Sequence, residues 1–67
     1  MAEVLAVRAT ITKIFEGYSL TLVMRESGSS RLLLDKRAAS VFEAETVAAS
    51  FTALHRIPRH KVEVLYR

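Results

Sequence analysis

Few side chains in this chain can bind metals or do acid–base work, and their spacing sets narrow limits. His55 and His60 are its two imidazoles, five residues apart with Pro58 between them. The proline keeps them off a common helical face, and Glu63 is the nearest further ligand. A zinc site needs three or four converging donors, so the pair reads as two solvated rings in a basic loop. Asp35 is the single aspartate, the six glutamates are scattered, and no serine sits in a local nucleophile signature with a histidine and an acid. Gly17 and Gly28 lie in separate turns and cannot make a phosphate-cradling loop. Cysteine is absent, which removes disulfides, thiolate catalysis and thiolate metal sites. The expectation is a protein with no enzymatic activity, no cofactor and no metal.

Binding remains, and two surfaces suggest themselves. The segment His55-Arg56-Ile57-Pro58-Arg59-His60-Lys61 packs three fixed charges and two titratable rings around a rigid proline. If its loop meets the one carrying Lys36 and Arg37, the result is a positive patch for phosphates or carboxylates. The second surface is a sheet face on which Arg8, Thr10 and Thr12, then Ser19, Thr21 and Arg25, then Arg31 lie side by side. A solvated loop and ordinary β-forming threonines are the competing readings. Val23, Leu33 and Leu65 fall on the outward phase of their strands, where they are either apolar points of a protein-contact surface or residues turned inward by a bulge.

Alternation of apolar and polar residues marks the elements that must position these groups. Leu5, Val7, Ala9 and Ile11 alternate with Arg8, Thr10 and Thr12, the period of a half-buried strand, here expected from about Glu3 to Phe15. Phe15-Glu16-Gly17-Tyr18 turns the chain into a second strand in which Tyr18, Leu20, Leu22 and Met24 alternate with polar neighbours. Ser27-Gly28-Ser29-Ser30 is a second turn, and Arg31 to Leu34 resumes the strand pattern. Asp35-Lys36-Arg37 reads as a turn into a short extra strand near residues 37–41, or as a loop leading to a helix. Ser40-Val41-Phe42-Glu43 fits a capping box, so the helix starts between Val41 and Ala44. Ala44, Val47, Ala48, Phe51 and Leu54 form its apolar stripe, with Glu43, Glu45, Ser50 and Thr52 off it. It ends before Pro58, with His55 and Arg56 in its last turn. Val62, Val64 and Tyr66 then alternate as a final strand. The expected fold is α+β, a small antiparallel sheet with one helix packed on one face, in the order β-β-β-α-β, forming a single domain over residues 1–67.

The composition agrees with that scale. The chain has 67 residues, half of them apolar, with ten Lys and Arg against seven acids for a net charge of +3. A chain this short buries only about 60% of its unfolded surface, so extra core from a second copy, by strand addition or sheet stacking, makes a homodimer the expected state. Seven arginines against three lysines and nine alanines suggest GC-rich coding and a bacterial or phage source. No apolar run approaches the roughly 18 residues that span a bilayer, and the acidic start does not resemble a signal peptide. A cytoplasmic protein without membrane contact is expected.

Together these features point to a small protein-binding module of inhibitor or adaptor type, encoded by a phage or mobile element, that occupies a surface on a larger partner complex, one that itself handles nucleic acid. The alternative is a sequence-nonspecific nucleic-acid binder using residues 55–61 and the Arg/Thr sheet face. Single-strand readers offer exposed aromatic platforms, and here Phe15, Tyr18, Phe42, Phe51 and Tyr66 are the only aromatics, most of them needed for the core.

Overall fold

The computed structural model describes residues 4–67, with side chains from Ala6 onward; Glu3 lies outside the described residues. The order is β1 (Val4–Ile14), β2 (Gly17–Glu26), β3 (Ser29–Ala38), α1 (Val41–Leu54), a 3-10 turn at Arg59–Lys61 and β4 (Val62–Tyr66). One four-stranded sheet runs β3-β2-β1-β4, and α1 packs on one face. The β-β-β-α-β order and the α+β class are as the sequence indicates.

The sheet is mixed rather than antiparallel. Both hairpins are antiparallel, so β3 runs the same way as β1, and β4 pairs with β1 in parallel. The helix is the reason. It carries the chain back to the end of the sheet where β1 begins, and a strand entered from there must run with β1, as in any β-α-β unit. Arg67 extends the ladder, its N–H donating to the Ile11 carbonyl at 2.9 Å and its carbonyl accepting from Lys13 at 3.2 Å.

Residues 35–38 form neither a turn nor a separate strand. They continue β3, with Asp35 opposite Thr21, Lys36 opposite Leu20 and Ala38 opposite Tyr18. An edge strand tolerates this run of charges because one side of it stays in solvent. A register shift at Leu33 puts Leu34 opposite Leu22 and Leu32 opposite Val23. Such a bulge inverts the alternation beyond it.

The core consists of Val7, Ala9 and Ile11 from β1, Leu20, Leu22 and Met24 from β2, Ala38 from β3, and Ala44 and Ala48 from α1. Ser40 caps the helix by accepting the Glu43 N–H at 3.1 Å, while the Glu43 carboxylate accepts from Ala39 N–H at 2.6 Å. This is the expected capping box, closed one residue before the cap. The buried line on the helix is Ala44, Ala48 and Thr52, so the expected stripe is rotated. Val47 and Phe51 are only half-buried and Leu54 is 78% exposed, because small residues at i, i+4 and i+8 let the backbone settle closest to the sheet along that line. Thr52 satisfies its hydroxyl by donating to the Ala49 carbonyl at 3.0 Å.

His55 and Arg56 lie beyond the last helical turn. His55 is the C-cap and Arg56 takes a left-handed conformation, φ 56°. The Arg56 N–H donates to Ala53 and the Ile57 N–H to Thr52, the bonding of a Schellman motif.

Candidate functional site

The two basic segments, which would form one patch if they met, are at opposite ends of the sheet. Val62, directly after the loop, pairs with Val7, whereas Lys36 and Arg37 stand level with Ile11 and Thr12 on the far edge strand. Three strand spacings and five residues of rise separate them by about 20 Å. Lys36 lies on the helix side and Arg37 on the open side, so neither joins the patch of residues 55–61.

The open sheet face is largely as expected. Thr10, Thr12, Ser19 and Thr21 form a half-buried central band, flanked by exposed Arg8 and Arg25. Arg8 Nε stands 3.5 Å from Glu63 Oε2 across the β1–β4 pair. Arg31 is not on this face. The bulge places it opposite Met24 on the helix side, where its guanidinium meets Glu26 Oε1 at 3.3 Å. The outward-phase leucines and valine divide the same way: Val23 and Leu65 stay half-buried on the open face, while Leu33 packs against the core at the bulge. Leu32, opposite Val23, is 59% exposed on the open face. None of the described aromatic side chains lies in this band; Tyr18 and Tyr66 point to the helix side in register with Lys13 and Ile11.

Residues 55–61 do gather. The Schellman turn, Pro58 and the 3-10 turn present Arg56, Arg59 and His60 in exposed positions, and Lys61 is half-buried where β4 begins. Ile57 anchors the segment to the core. The His55 ring stacks on Phe51 with centroids 4.3 Å apart, so it is partly occupied in packing. Among the described residues, no group of three His, Asp or Glu side chains gathers to hold a metal ion.

Two surfaces were not anticipated. Between α1 and β3 runs an open groove of about 330 Å³ lined by Leu34, Lys36, Thr46, Val47, Ser50, Phe51 and Leu54. Phe42, 77% exposed, lies one turn before Thr46 and prolongs the apolar strip. The helix shows the signal for it in the sequence, since Phe42 and Leu54 carry its apolar character beyond the buried line. Between α1 and β4 lies a second groove of about 260 Å³, with Ala48, Ala49, Thr52, Val62 and Val64 along it, Glu45 towards one end and Arg59 towards the other. The Tyr66 hydroxyl donates to the Glu45 carboxylate, and acceptance by that carboxylate, with lesser contributions from desolvation and its charge, raises the phenol above its ordinary value.

Both sheet edges carry devices that discourage strand addition. The β3 edge has the bulge at Leu33 with Arg31, Lys36 and Arg37 around it, and β4 has only five residues. Charge, bulges and shortness are how edges avoid pairing. Among the described residues, no helix is long and apolar enough to cross a membrane.

The chain matches no family model, no curated protein and no solved structure in the comparisons made with each.

Proposed function

We propose that this chain is a non-catalytic docking module of inhibitor or adaptor type, acting in the cytoplasm, that covers a surface on a larger protein through the α1–β3 flank. The observation that carries the reading is the row Phe42, Leu34, Val47, Phe51 and Leu54, in which Phe42 and Leu54 are exposed and the other three are only half-covered by the chain's own core. With the edges guarded, side-chain packing along the flank is the favoured contact, and in the absence of the larger partner a second copy covers the same strip as a homodimer.

Leu54→Asp tests the reading, because it charges the strip at a site 78% exposed and leaves the core intact. The expected result is a stoichiometric partner captured by the parent chain and by Phe15→Asp, but not by Leu54→Asp, together with loss of any self-association in light scattering. Phe15 is the control because it is 98% exposed in the β1–β2 turn, away from the flank. Equal capture by both variants would sink the proposal.

A further inference from the structure

The register of the sheet reveals a separation of charge that the sequence hides. Take the end at which β1 begins, β2 meets β3 and residues 55–61 enter β4. It holds Arg8, Arg25, Arg31, Arg56, Arg59 and Lys61 against Glu26 and Glu63, a net +4. At the opposite end Lys13, Lys36, Arg37 and Arg67 are balanced by Glu16, Asp35, Glu43 and Glu45. The whole surplus of positive charge among the described residues therefore sits at one end of a body 39 Å long, with the negative end of the α1 dipole behind it.

Two further features belong to the same end. Arg56 occupies the left-handed position of the Schellman motif, φ 56°, which glycine fills at least strain. The chain gives up stability there to hold a guanidinium, and backbone strain of this sort gathers at functional positions. The β2–β3 turn, Ser27-Gly28, and the first two residues of β3, Ser29 and Ser30, are exposed, and a Cβ added at Gly28 would meet nothing within 4 Å. Exposed serine hydroxyls between arginines are among the groups that contact phosphate oxygens.

We infer that this basic end binds the phosphate backbone of a nucleic-acid duplex without reading its bases. Two features favour a duplex over a single strand or an acidic protein. Among the described residues the end offers no exposed Phe or Tyr platform for unstacked bases, and the His55 ring packs at a tilt of 33° against Phe51. The β2–β3 turn and the 55–61 segment flank three strand spacings, about 14 Å, comparable to the roughly 12 Å of a major groove, so the two clusters reach phosphates on its opposite walls. Arginine supplies five of the six cations, and its planar donor fork binds phosphate bidentately, as it does carboxylate. The surface is distinct from the α1–β3 flank, so this inference and the docking proposal fail or succeed separately.

Fluorescence anisotropy of a labelled mixed-sequence duplex, titrated with the full chain, tests it. With about four phosphates engaged, the log–log salt slope is −3 to −4, about a 100-fold loss of affinity between 50 and 200 mM salt. Arg56→Gly keeps the fold, checked by thermal unfolding, yet binds several-fold more weakly with a slope smaller by about 1. Arg25→Ala behaves likewise, and Lys13→Ala at the balanced end binds as the parent does. The inference is overturned by absence of binding at low salt, by an Arg56→Gly slope equal to the parent's, or by a single strand bound as tightly as the duplex. Poly-glutamate bound more tightly than the duplex at equal ionic strength overturns it in favour of an acidic protein.

Discussion

The Ile57 N–H donates to the Thr52 carbonyl at 2.9 Å, and this bond closes the turn that holds Arg56 at φ 56°. Thr52 lies on the buried line of α1 and Ile57 packs against the core, so the left-handed residue between them is fixed from both sides. A side chain in this conformation costs roughly 1–2 kcal/mol relative to glycine, part of which glycine returns as greater freedom when unfolded. Arg56→Gly is therefore expected to stabilise the fold by about 1 kcal/mol, raising the melting temperature by roughly 4–8 °C for a domain of this size. Urea unfolding of the two proteins reads this directly, and a destabilised variant would refute the strain argument.

The two glycines are predicted to differ. Gly17 has φ +133° and a Cβ there would lie 2.6 Å from the Ala38 carbonyl oxygen, a backbone atom of the paired strand. Gly28 has φ +82° with open space around it. Gly17→Ala should cost at least about 2 kcal/mol, combining strain with displacement of β3, while Gly28→Ala should cost about 1 kcal/mol from the backbone alone. Denaturant midpoints of the two variants check the ranking, and equal losses would remove the close-approach argument.

How much of this was legible in the sequence follows from what each signal measures. The two hairpins and α1 were, because Val7-Ala9-Ile11 and Leu20-Leu22-Met24 keep strict alternation and because Ser40 and Pro58 bound the helix chemically. The full length of β3 was not. Asp35-Lys36-Arg37 has turn-like composition, yet an edge strand needs an apolar partner on only one side, and Ala38 opposite Tyr18 supplies it. Nor was the side taken by Arg31, since the extra residue at Leu33 puts the residues before it on the face opposite to the one that strict alternation with Leu34 would give, without altering the composition. The candidate surfaces suffered most. Which basic residues cluster depends on which strand ends are neighbours, and the parallel placement of β4 decides that Arg59 sits level with Arg25 and Arg31 instead of Lys36.

Ser40 satisfies one of the otherwise unpaired N–H groups at the start of α1 by accepting from Glu43. Its backbone is extended, φ −148° and ψ 164°, the geometry of a cap. Ser40→Ala should destabilise the protein by about 1 kcal/mol and Ser40→Asp should leave it near the parent, since aspartate caps equally well. Glu43 also braces this turn through Ala39, so Ser40→Ala with Glu43→Ala should cost more than either change alone. Chemical denaturation of the set decides between a working cap and a hydroxyl of no consequence.

Tyr66 on β4 and Glu45 on α1 form a side-chain hydrogen bond that ties the short edge strand to the helix. Because the carboxylate accepts a hydrogen bond from the phenolic O–H, the neutral phenol is favoured in the folded state and its titration moves above 10.0. The sign for stability follows: a group whose folded value is raised contributes fully below the ordinary value of 10.0 and loses that contribution as pH climbs through the folded one. The bond is exposed, so the loss appears as loosening of β4 at strongly alkaline pH rather than global unfolding. In a Tyr18→Phe background, ultraviolet titration reads Tyr66 alone, and its midpoint should lie above 10.0 and fall back towards it in Glu45→Ala. A midpoint that does not move with Glu45 would show that the carboxylate is not the partner in solution, and β4 would then be held by its ladder to β1 alone.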